Sequence, residues 1–410
     1  MADTPKIRFK GFADAWKQRK FDEFTFPAGE RNKNDLQLEA YAITNEHGFI
    51  PQNEAHDDFG YMKNTDRTAY NIVRPNSFAY NPARINVGSI GYYEGQENVI
   101  VSSLYEVFQT EEYVDDGFLW QWFKTDEFPR WIERLQEGSV RQYFYYDKLC
   151  ECQLMMPEVE EQRQIATYFS SLDHLITLHQ RKCDETKELK KYMLQKMFPQ
   201  NGKKNPEIRF TGFTDDWEQR KLGEITELKS ASRVHREEWT AEGIPFYRSS
   251  DVMAAINGTE NDKAFISEEL YERLSSVSGK LEEGDILVTG GGSVGNPYIV
   301  PDNAPLYTKD ADLLWIKNQG RFNPYFIYEF FLSPSFRSYL GSISHVGTIA
   351  HYTITQLSET PISLPSVEEQ EKIGSYFKNL DYLITLHQRK CDEIKEVKKF
   401  MLQNMFPQKG

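Results

Sequence analysis

Apolar or small side chains recur at Ile165, Phe169, Leu172, Ile176, Cys183, Leu189, Met193 and Met197, mostly three, four or seven positions apart. That period places them on one stripe of an α-helix, and such a stripe must be buried against something. Glu158, Glu160 and Glu161 stand in the first turn, where carboxylates favour the helix dipole, and Pro199 marks the stop. Unbroken from Glu158 to Phe198, the helix would be about 60 Å long. The pattern returns from Pro365 to Pro407, where Ser366 and Glu369 form a capping box. Over residues 172–200 and 380–408 the copies differ only at His174/Tyr382, Thr186/Ile394, Leu189/Val397, Tyr192/Phe400 and Lys196/Asn404.

A helix of that length is no satellite of one domain, and its twin is the natural cover for its stripe. Pairing about a pseudo-two-fold axis makes the two helices antiparallel. The seam would then hold Leu172, Ile176, His179, Cys183 and Met193 of the first copy. From the second copy it would take Leu380, Ile384, His387, Cys391 and Met401.

A second repeat precedes each variable stretch: IRFKGFADAWKQRK at 7–20 and IRFTGFTDDWEQRK at 208–221. The chain therefore divides into a connector (1–21), a variable domain (22–156), a long helix (157–200), a second connector (201–221), a second variable domain (222–364) and a second long helix (365–410). The variable stretches show no obvious similarity to each other. Both alternate β-like runs with turn residues, as in NVIVSSLYEVFQT (98–110) and DILVTGGGSVGNPYIV (285–300). Both hold helical stretches, FLWQWFKTDEFPRWIERLQ (118–136) and FNPYFIYEFFLSPSFRSYLG (322–341). The expected fold class is α+β: two globular domains, each with a curved sheet, at the ends of a rigid rod of two long antiparallel helices.

Composition narrows the class. At 410 residues, with dispersed glycine and proline, the chain suffices for two folded domains. No apolar run approaches the roughly 20 residues of a membrane span, and MADTPKIRFK lacks a signal-peptide core, so a cytoplasmic location is expected. Cys183 and Cys391 are equivalent helix positions and Cys150 and Cys152 form a lone C-x-C, so no disulfide is expected. The formal net charge of −14 argues against strong non-specific affinity for nucleic acid and suits contacts with a protein partner. Lys187, Lys190, Lys191, Lys196, Lys203 and Lys204 nevertheless make the first helix end locally basic.

Candidate chemistries fall away in turn. GGGSVG (290–295) fits a dinucleotide fingerprint, but Asn296-Pro297 and a second strand-like run follow where a helix must begin, so it reads as a hairpin loop. His179 with Cys183, and His387 with Cys391, share a helix face and could converge on a metal. A packed seam accounts for them more simply, and no metal is expected. There is no H-E-x-x-H, no Walker lysine and no papain-like cysteine context, so no catalytic residues are assigned. The chain reads as a binding protein.

Two unlike domains, each followed by a near-identical VEEQ…YF…LD…HQRK…MFP helix, resemble the specificity subunit of type I restriction-modification systems. Further markers are GDILVTGGGSVG (284–295), GTIAHYTITQL (347–357), YNPARINVGSIG (80–91) and VSSLYEVF (101–108). The resemblance covers essentially the whole chain. It implies that the two variable domains are target recognition domains reading the halves of a split double-stranded DNA site. It implies helices that set the spacing and dock two methyltransferase subunits, with restriction/translocase subunits completing the complex. S-adenosylmethionine, ATP and Mg would sit on those partners and no cofactor on this chain. The competing reading is a two-headed coiled-coil adaptor that binds proteins rather than DNA.

Base readout needs forked donors and amides, and phosphate contacts need cations, hydroxyls or free N–H groups. Under the resemblance the first domain offers Arg84, Asn86, Ser89, Tyr92 and Tyr93, with Arg31, Lys33, Lys63, Arg67 and Arg141 as additions. The second offers Arg233, His235, Arg236, Tyr247, Arg248 and Ser249, together with Gly291, Gly292, Ser293, Thr348 and His351.

Overall fold

The long helices run over Val159–Lys196 and Val367–Met405, where the apolar stripe predicts them. The computed structural model describes residues 4–45, 48–55, 67–135, 143–200, 202–310, 312–343 and 351–407. Two compact units emerge, Met1–Gln180 with Arg389–Gly410, and Arg181–Gln388. The division cuts both helices, so each unit holds the first half of one and the last half of the other.

Within each unit the half-helices are antiparallel. In the first, Asp173 meets Lys398 at 2.5 Å, while the Cys391 thiol reaches the Ile176 carbonyl at 3.9 Å and Gln180 Oε1 at 3.6 Å. In the second, Lys190 meets Asp381 at 2.7 Å, and the Cys183 thiol reaches Ile384 O at 3.7 Å and Gln388 Oε1 at 3.8 Å. Leu172, Cys183, Leu380 and Cys391 are buried, and Ile176, His179, Met193, Ile384, His387 and Met401 are half-buried. Leu189, counted on the buried stripe from its spacing, is 44% exposed and points away from it. All four cysteines are free thiols. Among the described residues no group of three or more His, Cys, Asp and Glu is placed to hold a metal.

The helix starts correct one expectation. Ser366 Oγ does accept from the Glu369 N–H at 3.3 Å, but the Glu369 carboxylate takes both forks of Arg209, at 2.7 and 2.9 Å. The reciprocal half of a capping box is therefore replaced by a buried ion pair that ties the connector to the helix. The first unit repeats it: Arg8 reaches Glu161 at 2.6 and 2.8 Å. Beside each pair a tryptophan, Trp16 or Trp217, enters the core against Phe118 and Phe406 or against Phe198 and Phe326.

The variable domains share more than their sequences suggest. Each contains a four-stranded antiparallel sheet of the same order. It runs Thr25–Pro27, Glu106–Thr110, Ser77–Tyr80, Ile90–Tyr93 in the first unit, and Leu228–Ser230, Leu313–Ile316, Ile286–Thr289, Pro297–Ile299 in the second. Each also has a second sheet, of five and of four strands, that includes one parallel pair. A two-stranded ribbon joins connector to domain end, Lys17–Lys20 with Gln153–Met156 and Glu218–Lys221 with Pro361–Leu364. The expectation of one curved sheet per domain is thus corrected to two sheets and a ribbon.

The shared helix Asp116–Trp122 or Pro324–Leu332 is capped by Asp115 or Asn323, whose backbone N–H donates to Gln162 or Gln370 of the long helix. FLWQWF at 118–123 and FIYEFF at 326–331 stand at the same 208-residue offset as Cys183 and Cys391. That short apolar match carried the kinship. The differing turns and second sheets hide it everywhere else.

Candidate nucleic-acid interface

One corner recurs in both units. In the first, the turn after strand Ser77–Tyr80 is pinned where Phe144 N–H donates to Pro82 O at 3.0 Å. In the second, the turn after Ile286–Thr289 is pinned where Tyr352 N–H donates to Gly290 O at 2.8 Å. Tyr143 and His351, one residue earlier, are equivalent positions beside these turns.

The first-unit turn opens on a cleft of about 900 Å³ lined by Arg31, Asn71, Asn81, Arg84, Asn86, Glu106, Tyr143 and Tyr145, among others. Arg84 and Asn86 are exposed at its rim, and the Arg84 guanidinium has no ion-pair partner among the described residues. Arg31 is exposed, with one nitrogen donating to Ala69 O at 2.5 Å, and Lys33 nearby in sequence is exposed too. Tyr143 and Tyr145 stack at 5.5 Å with ring planes 6° apart. Burial, with Asp147 adding and Arg31 opposing, pushes the Glu106 carboxyl up. A cleft with forked cations, amides, stacked aromatics and a single carboxylate can hold a polyanion whose edges carry both donors and acceptors.

Sequence reasoning missed Asn81, Glu106, Tyr143 and Tyr145. The quoted motifs YNPARINVGSIG and VSSLYEVF contained Asn81 and Glu106, whereas Tyr143 and Tyr145 come from a segment that only folding brings to the turn. Several expected readers lie outside the cleft. Ser89 is buried and donates to Ile43 O at 2.9 Å, and Tyr93 is buried and donates to Glu97 O at 2.8 Å. Tyr92 donates to Asn76 at 3.1 Å and Asp116 at 3.3 Å, away from the cleft. Arg67 is half-buried and does not line the cleft. Lys63, Arg141 and Thr348 lie outside the described residues.

In the second unit the glycine loop is held from behind. Thr289 Oγ1 bonds Ser293 O and receives the Asn296 N–H, while Arg337 reaches Asn296 Oδ1 at 3.0 Å. Gly292 (φ +71°) takes a left-handed conformation that glycine adopts without strain, and Gly292 and Ser293 face outward. Gly291 pairs with the exposed His351 in an isolated bridge. Arg233, His235 and Arg236 are exposed on a loop before the short strand Trp239–Thr240.

Arg248 has an internal task instead: its guanidinium takes Asp251 at 2.8 and 3.1 Å, bonds Asp262 O and covers the Trp239 ring at 5.5 Å. Ser249 donates to Asp312 O at 2.8 Å, and Tyr247 packs on Tyr298 at 5.7 Å. Much of the basic helix end is likewise neutralised, Lys190 by Asp381, Lys196 by Glu207 and Lys204 by Asp216.

A family model described as the type I restriction modification DNA specificity domain matches residues 52–188 and 214–396, more than half of the chain. The chain belongs to that family. It is 22% identical over 325 residues to the type I restriction enzyme MjaVIII specificity subunit of Methanocaldococcus jannaschii, covering 77% of this chain and 74% of that one. The putative MjaX specificity subunit of the same organism is 23% identical over 359 residues, covering 82% and 79%. A solved type I restriction-modification S subunit from M. genitalium shares the fold, with a TM-score of 0.59 at 16% identity over 99% of this chain and 100% of that one. The first match of the specificity-domain model begins in the first variable domain and the second in the connector before the second, and both run into the long helix that follows. Among the described residues no helix of this family member is long and apolar enough to cross a membrane.

Proposed function

We propose that this specificity subunit reads an asymmetric, bipartite duplex DNA target, one half-site per unit, without catalytic groups of its own. The observation that supports it is the recurrent corner. Two domains of unlike sequence hold a loop at the same place in the same sheet, each presenting exposed polar side chains. In the first, Arg84 and Arg31 would fork onto guanine, Asn81 and Asn86 onto adenine, and Glu106 would accept from a base amino group. In the second, Gly292 and Ser293 would approach the backbone closely beside His351, Arg233 and Arg236. Because the loops differ, the half-sites would differ.

The doubled helices support two identical docks for methyltransferase subunits. Their outward faces repeat large apolar side chains: Leu175 and Leu383 are both 39% exposed, and Tyr192 and Phe400 are 49% and 55% exposed. Contiguous exposed apolar patches mark interaction surfaces, and a partner that docks twice needs the same kind of group at both places. S-adenosylmethionine, ATP and Mg belong to the partner subunits in this reading, and the complex works in the cytoplasm.

Selection of a randomised duplex pool by the full chain with its methyltransferase partner tests the reading. Enrichment of two different short sequences at a fixed interval is expected. A pool that stays random while the complex assembles would overturn it in favour of a protein-binding adaptor.

A further inference from the structure

The two units set one ion pair in unlike surroundings. In the second, Lys190 Nζ stands 2.7 Å from both Asp381 oxygens and 2.8 Å from Glu329 Oε1, one cation among two carboxylates. In the first, the equivalent Lys398 lies 2.5 Å from Asp173, and the third member is a second cation, Lys124, 3.8 Å from Asp173. Gln121 and Lys124 stand where the second unit has Glu329 and Leu332. The local charge is thereby reversed, from a surplus carboxylate to a surplus ammonium.

Lys124 and Lys398 open on a pocket of about 360 Å³, floored by Ile176 and Leu402 and rimmed by Lys395 and Lys399. Four ammonium groups line it against two carboxylates, Asp126 and Asp173. Lys395 and Lys399 have no ion-pair partner among the described residues. Only 29% of the Lys124 side chain and 14% of Lys398 reach solvent, so water screens their repulsion poorly. Burial first, then Lys398, pulls the Lys124 ammonium down to about 8. Gln121 Oε1 is buried without a donor among the described residues, so the amide at the carboxylate's place brings no negative charge, and Lys124 faces the Trp120 ring, 4.4 Å away, and Asp173.

We propose that this pocket of the first unit binds a phosphate group, once per chain. A phosphate carries up to two negative charges and several strong acceptor oxygens, matching the two surplus cations and their donors. The second unit carries its own carboxylate at that place and has no use for the ligand. The pocket joins the doubled helices to a residue of the first variable domain, Lys124, and gives the near-repeat a single asymmetric site. The phosphate comes either as a free ion or as a backbone group of DNA.

The test is a phosphorus-31 titration of the full chain with inorganic phosphate at pH 7, beside binding of a short duplex of arbitrary sequence. Lys124→Leu carries the second unit's own residue, and a rise in melting temperature in phosphate-free buffer will show that it folds. Lys399→Ala alters only an exposed side chain. Lys191→Ala removes the equivalent lysine of the second unit as the control.

A free-ion site predicts saturable phosphate binding weakened roughly tenfold or more in Lys124→Leu and Lys399→Ala but not in Lys191→Ala. A backbone site predicts the same pattern for the duplex instead. If neither probe separates Lys399→Ala from Lys191→Ala, the proposal is wrong. The phosphate titration needs no cognate DNA, so its outcome is separate from that of the half-site reading.

Discussion

Each unit ties its connector to its long helix through a buried fork, Arg8 on Glu161 and Arg209 on Glu369, with nearly identical distances. The outward corners of the same two units share a backbone path and almost no side chains. Burial accounts for the contrast. Glu161 and Glu369 show 1% and 0% of their side chains to water, and a lone charge there would be stranded in a poor dielectric. An exposed loop residue carries no such penalty, so the reading surface is free to differ between units while the frame is not.

The largest effect is therefore expected at the frame. Arg209→Ala leaves Glu369 charged and buried, and should cost the second unit about 3–5 kcal/mol in urea unfolding, with Arg8→Ala doing the same to the first. The comparison breaks if either variant loses less than about 1 kcal/mol. A next, smaller effect is expected at the corners. Arg84→Ala should weaken binding by about 1–3 kcal/mol and relax preference only within the first unit's half-site, whereas His351→Ala should alter only the other. Competition binding with targets substituted in one half-site at a time measures this. Loss of preference in both halves from one variant would refute the assignment of one half-site to each unit.

The frame was the legible part of the sequence. Helix period, proline stops and the repeated IRF…W…QRK connector each follow from local rules that burial enforces, and the antiparallel Cys183–Gln388 and Cys391–Gln180 contacts follow from pairing alike stripes. The common sheet order of the variable domains was not legible, because strands of three to five residues with different turns keep no shared period. The corner was half legible. Arg84 and Asn86 sit in one quotable motif and Glu106 in another, but nothing local joins the two, and Tyr143 and Tyr145 arrive from a distant segment with no motif. Side-chain type misled at Arg248, Ser89 and Tyr93, since a hydroxyl or guanidinium suited to DNA is equally suited to an internal carbonyl or carboxylate.

A pH-dependent effect separates Gln121 from Glu329, which occupy equivalent places on the shared helix. Glu329 is buried, one of its oxygens has no donor among the described residues, and burial pushes its carboxyl up to about 7, with Lys190 opposing and Asp381 adding to the rise. A carboxyl whose folded value lies above its unfolded one binds its proton more tightly in the folded state. Its contribution to stability is full below about pH 4.5 and is lost as pH rises through about 7. Gln121 is uncharged at every pH and causes no such loss in the first unit. Glu329→Gln should accordingly match the natural chain near pH 4.5 and gain on it above neutrality, by up to about 3 kcal/mol, while Lys190 keeps Asp381. Urea unfolding of both proteins from pH 4.5 to 8 reads the difference. Parallel curves would mean that Lys190 already neutralises Glu329 fully, and the two units would then differ in charge but not in its consequence.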